Sequence, residues 1–402
     1  MISVEEARDR ILQALSPGAA ETVPLAAAAG RVLARPVHAR LTQPPADVSA
    51  MDGYAVRAAD ASEGAVLRVA GSAPAGHPFA GAVGAGEAVR IFTGAFVPEG
   101  ADAILLQEDA EAAEDRVRVG EAVRPGRWIR RRGLDFEEGE LLLPTGRPLT
   151  ARDIGLAAAA NHPWLAVHRR PRIGILATGD EIALPGEPIP PGGIVSSNAH
   201  ALAALVRAGG GGESVVLPIA PDDAEAIAEA ARAARTCDLL VTTGGASVGE
   251  HDLVQAALGP EGFALDFWRI AMRPGKPLIW GRLGQTPLLG LPGNPVSALV
   301  CGVVFLLPAL RRLSGLPDSA PRTARIRLGA PLPANDRRFD FLRARLQTGA
   351  DGEATVLPFP AQDSSMLKLL ARADALVLRP PHAPAAAAGE TVEVIPLADL
   401  GV

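Results

Sequence analysis

Aromatic residues make up only 4% of the 402-residue chain, cysteine occurs twice, and tyrosine once, at Tyr54. With so few rings, buried cores must be filled by Ala, Val, Leu and Ile, and a hydrophobic content of 48% supplies them. Cys237 and Cys301 both lie in apolar surroundings and read as buried free thiols; two cysteines exclude any disulfide framework beyond a single bridge. Positive charge is not in excess. The net charge of −6 argues against a nucleic-acid coat, so a bound anion must be held by local groups rather than by a global field. Long hydrophobic runs are missing too: the longest, Ala298–Leu307, is too short to span a bilayer. The opening MISVEEARDR carries acidic residues and no apolar segment of the kind a signal peptide needs, so a cytoplasmic protein with no membrane partner is expected. There is no Walker A pattern, no G-x-G-x-x-G after the first central strand and no G-x-S-x-G elbow, which removes P-loop kinases, Rossmann dehydrogenases and serine hydrolases.

What is present is a chain that changes character three times. At roughly 100–200 residues per domain its length suggests two to four domains. Ser3-Val4-Glu5-Glu6 fits a capping box, and Val4, Ala7, Ile11, Leu12 and Leu15 follow at helical spacing until Pro17-Gly18. Residues 22–150 break into short Val/Leu/Ile runs split by Gly and Pro, at Ala65–Ala70, Glu87–Phe92, Ala103–Gln107 and Arg116–Val119, which predicts an all-β module with a long loop over Gly71–Gly86. A helix is expected over Thr150–Ala160. From Arg172, strands and helices alternate: strands at Arg172–Thr178, Ser214–Ile219, Asp238–Thr243 and Leu288–Leu291, helices at Ser197–Ala208, Asp222–Arg235 and Pro295–Ser314. That alternation means βαβ crossovers and a mostly parallel sheet. Residues 319–402 return to short strands and turns.

Open α/β sheets bind ligands beyond the carboxyl ends of their strands. Three such ends carry unusual residues. Thr178-Gly179-Asp180-Glu181 offers a tight turn with free amides and two adjacent carboxylates that suit Mg²⁺, although either acid could simply cap the next helix. Thr242-Thr243-Gly244-Gly245-Ala246-Ser247, running on to Asp252, offers glycines for close backbone approach to a phosphate, with hydroxyls beside them; a plain glycine turn is the alternative. Leu291-Pro292-Gly293-Asn294-Pro295-Val296-Ser297 places Asn294 as N-cap and Pro295 at the first helical position, so a helix N-terminus faces the same side, with a well-capped helix as the simpler explanation. Between them, Arg273-Pro274-Gly275-Lys276-Pro277 fixes two cations around a rigid turn. His251 has no histidine or cysteine at ligand spacing and reads as a surface residue. Outside this region stand Ser49-Ala50-Met51-Asp52-Gly53-Tyr54, Ile91-Phe92-Thr93-Gly94, and the cluster Arg124, Arg127, Arg130, Arg131 and Arg132 before Gly133-Leu134-Asp135; the arginines read as a solvated face.

Taken in order, SAMDGYA, IFTGA, RRGLDF, TGDE, SSN, TTGGASVGEHD, MRPGKP, LPGNPVSA and QDSSM resemble the molybdopterin molybdenumtransferase family, the MoeA type also found as the C-terminal domain of gephyrin. The resemblance runs from residue 1 to about 396. It implies residues 1–45 plus 140–170 as one domain, an inserted β domain at 46–139, an α/β molybdopterin-binding (MoCF-type) domain at 171–317 and a C-terminal β-barrel-like domain at 318–402. It also implies a homodimer whose cleft is shared between the α/β domain of one subunit and the inserted domain of the other.

The implied reaction takes adenylylated molybdopterin and molybdate, hydrolyses the phosphoanhydride, releases AMP and inserts molybdenum into the dithiolene with help from Mg²⁺. By motif, Asp180 and Asp252 would handle the metal and phosphoanhydride, supported by Glu181, with Lys276 beside them. Thr178, Thr243, Gly244, Gly245, Ser247, Arg273, Pro277, Asn294, Ser297, Arg343 and Ser364 would line the substrate. Asp52, Thr93 and Asp135 would act from the inserted domain. The family often has Lys where Arg273 stands and Asp where Glu250 stands; QDSSM replaces a pattern with glycine after the glutamine and leaves Ser364 and Ser365 as alternatives. The adenylyltransferase and proteins that mature molybdoenzymes are the implied partners. Two other functions compete: an adenylyltransferase-like enzyme on the same α/β domain, which the extra β domains disfavour, and a non-catalytic gephyrin-like scaffold, which the intact carboxylates disfavour.

Overall fold

The computed structural model describes residues 1–244, 253–317, 320–349, 352–400 and 402. The first helix is Val4–Gln13. The Ser3 hydroxyl accepts from the Glu6 amide at 3.0 Å, as the capping pattern predicts. Its apolar stripe, Val4, Ala7 and Ile11 with Leu15 beyond, joins the central α/β core rather than a core of its own. A separate small cluster forms where strand Ala20–Pro24 pairs antiparallel with Trp164–His168, and Val37–His38 with Leu141–Leu143. Helix Ala151–Ala159 covers it, held by a Thr150/Asp153 capping box.

The β module between these segments is a six-stranded mixed sheet in the order Ala103–Leu106, Gly53–Val56, Glu87–Ile91, Val66–Ala73, Arg116–Val119, Ala110–Ala113. The strand expected to stop at Ala70 runs on to Ala73. Gly71 allows this: a Cβ there would meet the Phe79 ring at 2.6 Å, so the missing side chain lets Phe79 lie across the strand.

The α/β sheet has the order Glu213–Val216, Arg172–Ala177, Leu239–Thr243, Thr286–Leu291, Pro277–Leu283, Phe263–Arg269. The first four strands are mutually parallel, Pro277–Leu283 runs antiparallel to them, and Phe263–Arg269 pairs antiparallel with Pro277–Leu283. Those last two strands carry no clear strand signal in the sequence. Register shifts at Leu265/Phe267 and Phe267/Arg269 scramble the alternation of the outermost one. Helix Pro295–Cys301 continues through a π segment, Gly302–Leu306, into Leu307–Leu313. At 19 residues and mean hydropathy 1.8 this rod is long and apolar enough to cross a membrane, but 83% of the window is buried inside the protein, where it forms the spine of the main core. Cys237 and Cys301 are free and buried, as expected.

In the C-terminal region five strands, Ala324–Leu328, Phe339–Thr348, Ala354–Pro358, Ala375–Arg379 and Thr391–Pro396, close into a barrel, because Phe339–Thr348 pairs with both Ala354–Pro358 and Ala375–Arg379. A short strand, Met272–Arg273, leaves the α/β region and adds to the barrel parallel to Phe339–Thr348. That addition fixes the barrel against the mouth of the α/β sheet.

Candidate active site

Strands Arg172–Ala177, Leu239–Thr243 and Thr286–Leu291 are adjacent and parallel, with Ala177 opposite Thr243 and Thr243 opposite Leu291. Their carboxyl ends therefore leave the sheet side by side, and the three motifs singled out in the sequence meet. The Thr178 amide donates to the Thr243 carbonyl at 3.1 Å. Gly244 has φ +94°, and a Cβ on it would stand 2.4 Å from the Thr178 carbonyl oxygen, so the first two strand ends touch backbone to backbone. Asn198 ties the second to the third: its Nδ2 donates to Thr243 Oγ1 at 2.9 Å and to the Gly293 carbonyl at 2.7 Å. In the sequence SSN is a motif in which Asn198 carries no evident role; its place at the start of helix Asn198–Gly210 is the available signal.

Above these ends lies a cleft of about 690 Å³. Glu181, Gly244, Pro277, Asn294, Ser297 and Ser365 are among the residues that wall it. Thr178, Thr243 and Ser297 are buried. Asn294 precedes a helix with Pro295, which has no N–H, at its first position; with the Val296 amide taken by the Ser364 carbonyl, the Ser297 amide is the one this end turns toward an anion. Asp180 is exposed and spends one oxygen on the Asp222 amide at 2.9 Å, leaving the other free among the described residues. Gly245, Ser247 and Asp252 lie outside the described residues.

The C-terminal barrel closes one side. Ser364 receives Asn294 Nδ2 at 2.8 Å, and its carbonyl accepts the Val296 amide at 3.2 Å. Ser365 lines the cleft and donates its hydroxyl to Asp363 at 2.6 Å. Of the two serines left open by the sequence, Ser364 thus holds the helix cap and Ser365 faces the cavity. Behind them Arg343 is 1% exposed. Gln362 Oε1 accepts from its backbone amide at 3.0 Å and its Nε at 3.2 Å, and Nη1 reaches the Met366 carbonyl at 3.4 Å. Nη2 has no partner among the described residues. Burial pushes the Arg343 pKa down, only partly offset by Asp363.

The Arg273 turn gives its two cations different surroundings. Arg273 donates from Nε to Asp340 Oδ2 at 3.1 Å, pairs with the same oxygen through Nη2, and reaches Asp336 at 3.4 Å through Nη1. Cross-strand register sets Arg273 directly opposite Asp340, so the guanidinium is committed to the barrel. Lys276 is exposed and makes no ion pair among the described residues.

Asp52, Thr93 and Asp135 sit on the inserted β module and none of them lines this cleft in the same chain. Asp52 and Thr93 form a unit: Asp52 Oδ1 accepts from the Thr93 amide and from its hydroxyl, both at 2.7 Å. These two hydrogen bonds, with a smaller contribution from Arg90, hold the Asp52 carboxyl below its ordinary value. Thr93→Val removes the hydroxyl donor and is expected to move the Asp52 titration back up; a carboxyl carbon NMR titration that leaves the midpoint in place would contradict the assignment. Asp135 is exposed. The neighbouring arginines are partly structural: Arg131 pairs with Asp47 at 2.5 Å, the Arg132 amide donates to Asp47 at 2.9 Å, and Arg127 stacks over Trp128.

Comparison with known proteins adds the family. Three family profiles match in order: the MoeA N-terminal region (domains I and II) over residues 2–161, a probable molybdopterin binding domain over 174–312, and the MoeA C-terminal region (domain IV) over 325–397. Molybdopterin molybdenumtransferase 2 of Mycobacterium tuberculosis is 38% identical over 404 residues, spanning 98% of this chain and 99% of its own. The molybdopterin molybdenumtransferase of Haemophilus influenzae is 34% identical, covering 98% of each. A solved molybdopterin biosynthesis MoeA protein from Pyrococcus horikosii superposes with a TM-score of 0.85 at 30% identity, over 98% of this chain and 99% of that one. On this identity, sustained over the full length and matched by the fold, the chain belongs to the molybdopterin molybdenumtransferase family.

Proposed function

We propose that this protein inserts molybdenum into molybdopterin, taking the adenylylated pterin and molybdate, hydrolysing the phosphoanhydride and releasing AMP. The observation that carries the reading is the convergence of three parallel strand ends on one cleft, backed by a buried arginine with an unfilled donor. A fully buried guanidinium nitrogen with no acceptor is costly, and Arg343 sits on the same loop, through Gln362 and Met366, that carries the two serines. The Ser297 amide and hydroxyl at the helix start bind and orient the phosphate and molybdate oxygens. Lys276, exposed and next in the chain to Pro277 of the cleft wall, adds a positive charge.

The acids fit a hard divalent cation. Among the described residues no three acidic, His or Cys side chains cluster as a closed metal cage. Mg²⁺ does not need one: it takes one or two carboxylates plus substrate phosphates and water. Asp180 and Glu181, with Asp252 from the sequence, would hold it, and when bound it would neutralise charge on the phosphoanhydride. The chain's own part is to fix the anhydride against the amides, keep a carboxylate facing the attacking water to accept its proton, and let the AMP oxygen depart as the P–O bond breaks.

The enzyme works as a homodimer in this reading. Asp52, Thr93 and Asp135 reach a cleft only if a second subunit presents its inserted module to the first. The test is AMP release from adenylylated molybdopterin with and without molybdate. Release that depends on molybdate is the expected result. Release without it, or AMP transfer onto molybdopterin instead, would favour an adenylyltransferase-like activity, and no turnover at all a scaffold.

A further inference from the structure

A second cavity, of about 570 Å³, opens on the barrel beside the Arg273 turn. Its walls are stiff and apolar, with Pro331, Pro333, Pro358, Phe359 and Pro360 among them. Such a slot suits a flat ring, because little side-chain freedom is lost on binding.

Its polar groups are few, and most are already satisfied. Asn335 Nδ2 donates to the carbonyls of Arg338, Arg379 and Pro380, and its Oδ1 accepts the Asp336 amide. Gln362 is used on both sides, by Arg343 and by the Phe359 carbonyl. Two groups are different. Asp340 is 3% exposed; Arg273 occupies its Oδ2, but Oδ1 has no donor among the described residues. Arg379 is its cross-strand partner, so the two side chains share one face of the sheet, yet no ion pair joins them. Arg379 anchors Nη2 on the Pro333 and Pro384 carbonyls, and its other nitrogens have no partner among the described residues. A buried acceptor and a guanidinium side by side, unpaired with each other, match a ligand edge that carries an N–H next to a C=O.

We infer that this cavity is a subsite for a 2-amino-4-oxo pyrimidine edge, the edge of a pterin, with a ring N–H or amino group donating to Asp340 Oδ1 and the 4-oxo group accepting from Arg379. The inference rests on the proposed reaction, which supplies a pterin. Position supports it: Gln362 borders this cavity and Ser365 the strand-end cleft, three residues and at most about 11 Å of chain apart. One substrate can therefore lay its ring in the barrel slot and its phosphate at the helix start. The Arg273–Asp340 pair sets Asp340 in place on the wall of the barrel cavity.

The test uses the full chain and pterin itself, followed by its fluorescence and by calorimetry, with the strand-end cleft saturated by AMP. Saturable binding is expected, unaffected by AMP. Asp340→Asn is expected to weaken it by about tenfold or more, the loss of one charge-assisted hydrogen bond. Ala334→Trp, an exposed residue at the cavity wall, should do the same by filling the slot, and it serves as the deciding variant if Asp340→Asn melts early. The subsite is overturned if pterin fails to saturate, if the folded variants bind it as the parent does, or if AMP displaces it. Molybdate-dependent AMP release by the parent protein is read separately. Its failure removes the reaction, whereas its success beside failed pterin binding removes only the subsite.

Discussion

Asp252→Ala is expected to lower molybdate-dependent AMP release by at least about 100-fold, roughly 2.7 kcal/mol of barrier, while AMP affinity changes by less than about threefold. Strand Leu239–Thr243 ends at the cleft, and Asp252 falls between Gly244, which lines it, and helix Leu253–Leu258. In the proposed reaction its carboxylate acts on the metal or on the attacking water, a role felt in the transition state more than in ground-state binding. Its position just before a helix offers a competing role, as an N-cap. The two separate cleanly with Asp252→Ser. Serine caps a helix as well as aspartate does, so a capping role predicts that it restores both melting temperature and turnover. The catalytic role predicts restored melting with turnover still down by two orders of magnitude. Rescue of turnover by serine would end the assignment.

How far the sequence carried the fold can be judged from individual elements. The N-cap at Ser3 and the strand at Arg116–Val119 are readable because local signals agree with burial: polar or turn residues at the ends and a period that matches the buried face. The strand Pro277–Leu283 was hidden for the opposite reason. It begins inside a Pro-Gly-Lys-Pro run that locally reads as a turn, and only its antiparallel neighbours Phe263–Arg269 and Thr286–Leu291 make it a strand. The fusion of the first helix with the α/β core is likewise a long-range event. Ile11 packs near Leu310 across some 300 residues of sequence, which no window detects.

The candidate site divides along the same line. Its glycines, threonines and helix start were visible because close backbone approach and exposed amides need particular residue types. What remained invisible was direction. Arg273 reads as a free cation in the chain, yet pairing of Met272–Arg273 with Phe339–Asp340 turns it onto Asp340. Arg343 lies mid-strand in an ordinary-looking FLRARL segment, and only burial together with Gln362 shows that one of its nitrogens is left unanswered. Asp340 was not singled out at all, since a lone acid on a strand carries no signal until its partners are known.

Gly244→Ala is the substitution expected to damage the site most broadly. The residue sits at φ +94°, where an L side chain is strained by about 1–3 kcal/mol. A methyl group would also stand 2.4 Å from the Thr178 carbonyl, and that neighbour is backbone, pinned by its own amide bond to Thr243, so it cannot swing aside. Overpacking of this kind adds about 1–3 kcal/mol. The combined penalty of about 2–6 kcal/mol corresponds to a melting midpoint lowered by roughly 5–20 °C for a unit of this size. The structure has a way to reduce that loss, by parting the first two strand ends. Doing so breaks the Thr178–Thr243 contact and draws Thr243 away from Asn198, which also holds the third end through Gly293. A protein that saves its stability by this route therefore loses the convergence on which anion binding depends. Gly244→Ala should either melt early or, where it stays folded, bind AMP at least about tenfold more weakly, a cost of about 1.4 kcal/mol. A variant that melts like the parent and binds AMP equally well would mean that the Thr178 and Gly244 backbones are not in contact in solution.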